Sequence, residues 1–158
     1  MSFHKLTTLT AAMAITVAGA ASAGGHLTQD QQRAMDARQA QMGLYGFNLG
    51  PLGAMVQDKM PYDAEVAAAA AANLAALATL DQSRYWVEGT DSSVEGSRAK
   101  SEIWTDQEGV MAQVVGLRTA SAALAAVAGY VLDAMKAAFG PVGQSCGSCH
   151  EAYRAPRN

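Results

Sequence analysis

Two cysteines and a histidine near the C-terminus form the pattern with the most chemical content in this chain. Cys146 and Cys149 are separated by Gly147 and Ser148, and His150 follows directly. This CxxCH pattern is typical of the covalent attachment of a c-type haem. Each thiol can form a thioether to a haem vinyl group, and the adjacent imidazole can bind the iron through Nε2. We therefore predict one covalent haem c, with His150 as the proximal iron ligand.

Three other uses of the two cysteines are weaker. A structural zinc site needs four ligands, so it would require both cysteines, His150 and the distant His26; His4 lies in a segment that we expect to be removed. A thioredoxin-like dithiol needs a βαβ context, which the sequence does not indicate. A plain disulfide stays open, because an oxidising compartment would favour it if no haem were attached.

The first 23 residues have the form of a secretory signal peptide. A basic start that includes Lys5 precedes a stretch of apolar and small residues, and Ala21-Ser22-Ala23 matches the A-x-A pattern of a cleavage site. The apolar stretch is short for a membrane-spanning helix, which needs about 20 apolar residues. We expect removal of residues 1–23, one periplasmic domain over residues 24–158, and no stable membrane insertion. An uncleaved anchor is the alternative.

The composition argues against two classes of partner. Without the signal segment the chain carries 10 basic and 14 acidic side chains, a formal charge of −4, and haem propionates would add negative charge. We therefore expect no electrostatic attraction to nucleic acid or to an anionic membrane surface. Alanine makes up a large share of the apolar residues, so a haem would supply much of the apolar surface that a core of this kind lacks.

The spacing of apolar residues predicts helices throughout and almost no strand. Thr28 and Gln31 form a capping-box pattern that predicts the start of a first helix, and Gly50-Pro51 predicts its end. Asp63 is the predicted N-cap of a second helix, which runs through an alanine block toward Leu80.

A polar stretch divides the helical pattern into two halves. Residues 81–101 are rich in Gly, Ser and Asp and predict a long connecting loop. We expect a third helix from about residue 101 to Gly129, and a fourth from about Tyr130 to Arg154 with a kink or short break at Pro141. The elements predict an all-α protein, an antiparallel four-helix bundle that encloses one covalent haem c.

Several segments of the mature sequence also carry a resemblance to a known family. The most specific is the C-terminal run from Cys146 to Arg154. Shorter similar segments are Ala37-Arg38-Gln39 with Met42, Met60-Pro-Tyr-Asp63, Gly89-Thr90-Asp91 and Glu102-Ile-Trp104. With these the chain resembles the class II cytochromes c, which include cytochrome c prime. The resemblance implies that haem lies inside the bundle, with the last helix on its proximal face and the first helix on its distal face.

The resemblance makes Met42 the residue on which the function depends. In low-spin members of the family a methionine here binds the iron as sixth ligand, and the protein carries electrons. In cytochrome c prime the corresponding side chain only covers a five-coordinate iron, which can bind nitric oxide or carbon monoxide. We favour a bond from Met42 and one-electron transfer, with the five-coordinate gas-binding protein as the alternative. Periodicity alone leaves an ordinary core methionine open, since Met35, Met42 and Leu49 recur every seven residues.

Five further residues are expected at the haem. The resemblance implies Arg38 and Gln39 at the haem edge, Arg98 near a propionate, Trp86 on the distal side and Arg154 beside the proximal imidazole. From the residues alone, Trp86 is equally well explained as a core tryptophan and Arg154 as a solvated terminal arginine.

The predicted site is that of a carrier or a binding protein rather than an enzyme. The spacing places no charged acid–base pair over the iron, and general acid–base catalysis needs one. The expected partners are redox proteins, nitric oxide or carbon monoxide, and a second copy of the chain. The last follows from the resemblance, because many members of the family pair through their first two helices.

Overall fold

The computed structural model describes residues 26–157. This part of the chain contains five helices and no strand. They are α1 (Gln29–Val56), α2 (Ala64–Thr79), α3 (Glu102–Thr105), α4 (Gln107–Val127) and α5 (Leu132–Tyr153). One isolated antiparallel bridge joins Ala99 to Arg154. The all-α prediction is confirmed, and the predicted signal segment lies outside the described residues.

α1 begins at its predicted cap but ends later than expected. The Thr28 hydroxyl accepts a hydrogen bond from the main-chain N–H of Gln31 (3.2 Å), and the Gln31 side chain accepts one from the N–H of Thr28 (2.9 Å). The predicted end at Pro51 is wrong, because the helix continues to Val56. Pro51 costs one main-chain hydrogen bond. The complete burial of the adjacent Leu52 side chain favours continuing the helix and offsets that loss.

α2 begins as the sequence predicts. The Asp63 carboxylate accepts hydrogen bonds from the main-chain N–H groups of Glu65 and Val66, each at 3.0 Å. The helix ends at Thr79, and residues 80–101 form turns and irregular loop. The predicted long connection is therefore confirmed.

The predicted third helix is divided in two at Asp106. α3 is a single turn, which the main-chain N–H of Asp106 closes by donating to the carbonyl of Glu102 at 2.8 Å. The Asp106 carboxylate then accepts a hydrogen bond from the N–H of Gly109 at 3.0 Å and so caps α4. The expectation of one continuous helix is wrong here, because the same aspartate ends one helix and begins the next.

α5 carries the CxxCH pattern near its C-terminal end. The helix runs without interruption through Pro141, so a break does not occur there, and the kink stays a prediction. Proline has no main-chain N–H, so the carbonyl one turn before Pro141 receives no helical hydrogen bond. Because Pro141 is exposed, water can hydrogen-bond to that carbonyl instead. The neighbouring Val142 is fully buried and ties this part of α5 to the core.

The four long helices form a ring in the order α1, α2, α4, α5. Neighbours run in opposite directions, as two contacts between α1 and α2 illustrate: Gln41 donates to the carbonyl of Leu77 and Asn73 donates to the side chain of Asn48, both at 3.0 Å. The predicted antiparallel four-helix bundle is confirmed, with α3 as an extra turn in the long connection. α1 and α5 contact each other less than the other neighbouring pairs do.

α4 has the length and the apolar composition of a membrane-spanning helix, with a mean hydropathy of 1.5 over 18 residues. Of that window, 17% is buried. Valine and alanine together supply most of the hydropathy, and the helix packs against both α2 and α5 in the bundle. Length and composition are weak evidence for a span, so the absence of stable membrane insertion stays a prediction.

The packed core occupies the part of the bundle away from the CxxCH pattern. Its fully buried large side chains are Leu52, Met55, Leu74, Leu124, Met135 and Val142. Gly129, in the connection between α4 and α5, lies very close to α2. A Cβ atom added there would lie 2.8 Å from the Cβ of Ala68 and 3.3 Å from the carbonyl oxygen of Ala64. Glycine is therefore required here, because any side chain at position 129 would collide with α2.

Substitution of Gly129 tests the tight approach. We expect Gly129→Ala to lower the free energy of unfolding of the haem-loaded protein by about 1–3 kcal/mol, the usual cost of overpacking. Gly143→Ala in α5 is the matched control, because its added Cβ meets no atom within 4 Å and removing a helical glycine gains roughly 0.5–1 kcal/mol. Equal stability of the two variants in denaturant unfolding would contradict the packing.

Candidate haem-binding site

A cavity of about 500 Å³ lies at the end of the bundle that carries the CxxCH pattern. Its walls come from α1, α4, α5 and the long connection that follows α2. All nine residues that the sequence predicts for the site line it: Arg38, Gln39, Met42, Trp86, Arg98, Cys146, Cys149, His150 and Arg154. The fold therefore brings together residues from opposite ends of the chain.

The wall formed by α5 carries the two thiols and the imidazole. Cys146, Cys149 and His150 share one face of the helix, and the two cysteines are half-buried free thiols. Burial raises the pKa of both thiols. Burial also lowers the pKa of His150, and the positive charges of Arg154 and Arg98 lower it further. At neutral pH the imidazole is therefore neutral, which is the form that binds a metal ion.

The wall formed by α1 carries Met42. Its side chain is 42% exposed, whereas Met35 and Met55 of the same helix are 5% and 1% exposed. Met42 lines the cavity, so it is not an ordinary core methionine. Its thioether is therefore available on the side of the cavity that faces α5.

Arg38 lies one turn before Met42 and is buried, with 5% of its surface exposed. Nη1 donates to the hydroxyl of Thr90 (2.7 Å), and Nη2 donates to the Thr90 carbonyl (2.5 Å) and to the Ser97 hydroxyl (2.8 Å). The Trp86 ring lies beneath the guanidinium, with its centroid 5.2 Å from Cζ. Burial lowers the pKa of Arg38, but an arginine stays charged at any pH of interest.

Gln39, Arg98 and Arg154 also line the cavity, and the first two make hydrogen bonds to main-chain carbonyls. The Gln39 side chain donates to the carbonyl of Gly96 at 3.0 Å. Arg98 donates to the carbonyl of Ala155 through Nε (2.9 Å) and Nη2 (2.6 Å). Its guanidinium is thus engaged with the C-terminal segment while it lines the cavity. Arg154 is exposed and follows directly on α5 as its C-cap residue.

Several residues of the site were not predicted from the sequence. Tyr45 is buried in the cavity wall, and its hydroxyl has no hydrogen-bond partner within the described residues. Burial raises its pKa to about 12. Tyr45 follows Met42 by three residues, so helical periodicity is the signal that could have found it. Thr90 and Ser97 lie in the loop, where no periodic signal exists.

These residues fit a covalent haem c. The thiols and the imidazole occupy one wall, and the side chains of Leu49, Ile103, Val110, Val114 and Leu117 make much of the remaining lining apolar. Arg38 is a buried cation that takes part in neither of the ion pairs found among residues 26–157. It can therefore balance an anionic group such as a haem carboxylate. When bound, haem c supplies an iron that changes oxidation state and accepts small ligands.

Comparison with known proteins decides the family. The family model described as Cytochrome C′ matches residues 33–154. The chain belongs to the cytochrome c′ family. A cytochrome c′ of Cereibacter sphaeroides is 37% identical to it over 132 residues, 83% of this chain and 89% of that protein. A cytochrome c-554 of the same organism is 37% identical over 124 residues, 78% of this chain and 81% of that protein.

The fold comparison agrees. The crystal structure of cytochrome c′ from Thermochromatium tepidum superimposes with a TM-score of 0.73 at 34% identity, over 80% of this chain and 97% of that one. Proteins of this family carry a covalent haem c, and Cys146 and Cys149 fit its attachment. The family, the fold class and the cofactor predicted from the sequence are thereby confirmed.

Replacing the two thiols tests how the haem is held. In the double variant Cys146→Ser, Cys149→Ser we expect no covalent haem, because serine forms no thioether. Intact-mass measurement should give the chain plus one haem for the unmodified exported protein and the chain alone for the variant. Ser148→Ala, between the two cysteines, is the matched control and should keep the haem. A haem-free mass for the unmodified protein would contradict the assignment.

Proposed function

We propose that this cytochrome c′ binds a small uncharged gas, nitric oxide or carbon monoxide, at its haem iron. His150 is the proximal ligand in this proposal, and Met42 covers the iron from α1 without bonding to it. Two similar solved structures support the ligand class. One is a variant of the Alcaligenes xylosoxidans cytochrome c′ with carbon monoxide bound, 31% identical with a TM-score of 0.70. The other is a ferrous variant with bound nitric oxide, 29% identical with a TM-score of 0.71.

The chemistry of the α1 wall carries the proposal. Within residues 26–157 the other histidine is His26, which is exposed ahead of α1, so no second imidazole faces His150. The amide of Gln39 and the guanidinium of Arg38 are engaged by the loop. Met42 is then the side chain of this wall that is left to cover the iron, and much of the lining around it is apolar. An apolar pocket favours an uncharged ligand over an ion.

Electron transfer is the second candidate, and the cavity-facing thioether of Met42 is the observation that favours it. Thioether ligation opposite a histidine raises the reduction potential of a haem and closes the sixth position. In that case the physiological partners are redox proteins rather than gases. Both candidates give His150 the same role and differ in whether Met42 bonds to the iron.

Carbon monoxide binding to the ferrous protein separates the two candidates. If Met42 only covers the iron, the binding rate rises in proportion to gas concentration, and Met42→Ala accelerates it by about tenfold, the effect of ~1.4 kcal/mol of steric barrier. Met111→Ala, at an exposed position of α4, is the control and should leave the rate unchanged. A slow rate that is independent of gas concentration, and that becomes concentration-dependent in Met42→Ala, would favour the electron carrier.

We also propose that the protein acts in the periplasm and has no catalytic role. The predicted signal segment supports export, and a c-type haem is attached outside the bacterial cytoplasm. No aspartate or glutamate among the described residues lines the cavity, so the site lacks a carboxylate for acid–base chemistry. Fractionation of expressing cells should release the coloured protein with the periplasmic contents.

Pairing of two copies through α1 and α2 is the final part of the proposed function. Leu44 and Phe47 lie three residues apart on α1 and are 50% and 77% exposed, and exposed alanines of α2 would let a second copy approach closely. A solved cytochrome c′ that is 33% identical, with a TM-score of 0.74, is described as showing ligand-controlled dimer dissociation. The exposed apolar surface is of the kind that marks interaction sites.

A charge placed on this surface tests the pairing. We expect Phe47→Glu to weaken dimerisation by at least about 100-fold, since burying an unpaired carboxylate costs several kcal/mol. Met111→Glu, on the diagonally opposite helix α4, is the matched control and should leave the sedimentation profile unchanged. An unmodified protein that sediments as a monomer at every concentration would contradict the proposal.

A further inference from the structure

Residues 98–100, which precede α3 and α4, make hydrogen bonds to the last turn of α5. The main-chain N–H of Lys100 donates to the carbonyl of Tyr153 (2.9 Å), and the N–H of Ala155 donates to the carbonyl of Arg98 (2.8 Å). The Lys100 ammonium adds hydrogen bonds to two further α5 carbonyls, each at 3.0 Å. Carbonyls at a helix C-terminus lack helical partners, so these contacts satisfy groups that would otherwise stay unpaired.

One side-chain contact links the last turn of α5 to α4. The Tyr153 hydroxyl donates to Oδ2 of Asp106 at 2.6 Å, and Oδ1 of the same carboxylate accepts from the N–H of Gly109 at 3.0 Å. Tyr153 is 7% exposed and lines the haem cavity. A phenol that donates to a carboxylate makes a charge-assisted bond, which is stronger and shorter than one between neutral groups. The first turn of α4 and the last turn of α5 are thus held by one carboxylate.

Gly109 provides the space for this contact. A Cβ atom added there would lie 2.2 Å from the Tyr153 hydroxyl oxygen and 2.3 Å from Oδ2 of Asp106. Distances below 3.0 Å cannot be tolerated, so any larger residue would force the hydroxyl and the carboxylate to move. The close approach of α4 to Tyr153 therefore depends on glycine.

The position of Tyr153 connects this contact to the proposed iron ligand. Tyr153 lies three residues after His150, about one helical turn, so both side chains project from the same face of α5 toward the cavity. Any rotation or shift of the last turn that moves Tyr153 also moves the imidazole. Groups behind a metal ligand commonly fix its orientation and tune the metal.

We propose that Tyr153 is a positioning residue, which acts through Asp106 to set the orientation of the His150 imidazole toward the haem iron. The inference rests on the proposed function in one respect, the role of His150 as proximal ligand. The segment from Arg98 to Gly109 then serves as the support that keeps the last turn of α5 in register with the cavity.

Two substitutions weaken the contact by different routes. Tyr153→Phe removes the hydroxyl and keeps the ring. Gly109→Ala leaves both partners chemically intact but pushes them apart. We expect each to shift or broaden the iron–histidine stretching band in the resonance Raman spectrum of the ferrous protein, and to shift its reduction potential in a common direction.

Asp106→Asn is the conservative variant. Asparagine is as good an N-cap as aspartate. When its single amide oxygen accepts from the N–H of Gly109, its amide NH2 faces Tyr153 and donates to the phenol oxygen, so a neutral hydrogen bond replaces the charge-assisted one. The band of this variant should lie between those of the unmodified protein and Tyr153→Phe. Combined with Tyr153→Phe, it should add almost nothing, since the two residues act as one unit.

Gly129→Ala, which destabilises the opposite end of the bundle, is the control for a general loss of stability. It should lower the melting temperature and leave the iron–histidine band in place. A Tyr153→Phe protein that melts lower but keeps its band and its potential would overturn the proposal, because the contact would then be structural alone.

The potential can be measured whether or not Met42 is bound to the iron. Failure of the gas-binding proposal therefore leaves this readout intact. If His150→Gly changed neither the potential nor the spectrum, His150 would not be the proximal ligand. The positioning role of Tyr153 would then be contradicted as well.

Discussion

Attachment of a large flat cofactor to one face of one helix is the constraint on which the rest of the structure depends. Cys146, Cys149 and His150 can act together because positions i, i+3 and i+4 of a helix share a face. A haem also needs space in front of that face. α1 contacts α5 less than the other neighbouring helices contact each other, and the cavity of about 500 Å³ occupies this end of the bundle. The large buried side chains are concentrated toward the other end.

The same constraint shapes the charge distribution and the long loop. Arg38 faces the cavity from α1 and is buried, which is costly for a cation unless its donors are satisfied. Thr90 and Ser97 accept three hydrogen bonds from it and so hold the loop against α1. The loop lacks helix but is fixed at both ends of the site, by Arg38 on one side and by the last turn of α5 on the other. A haem carboxylate would complete the charge balance of Arg38.

Local signals in the sequence predicted structure well, and long-range contacts were out of reach. Thr28 caps α1 as expected, because a capping box involves residues within one turn. The breaks expected at Pro51 and Pro141 are absent because burial of the neighbouring side chains outweighs one lost hydrogen bond. The nine predicted site residues do line one cavity, a placement that came from the motif and the family resemblance. Asp106 acts on Tyr153 across 47 residues, and no periodicity encodes such a contact.

An iron that is bound by His150 alone and open toward α1 has a distinct electronic state. Electron paramagnetic resonance of the unmodified ferric protein at neutral pH reads that state without any added gas or partner. The proposed arrangement predicts a high-spin signal, because the sixth position holds no strong ligand. A low-spin signal in the unmodified protein that becomes high-spin in Met42→Ala would contradict it and would assign Met42 as the sixth ligand.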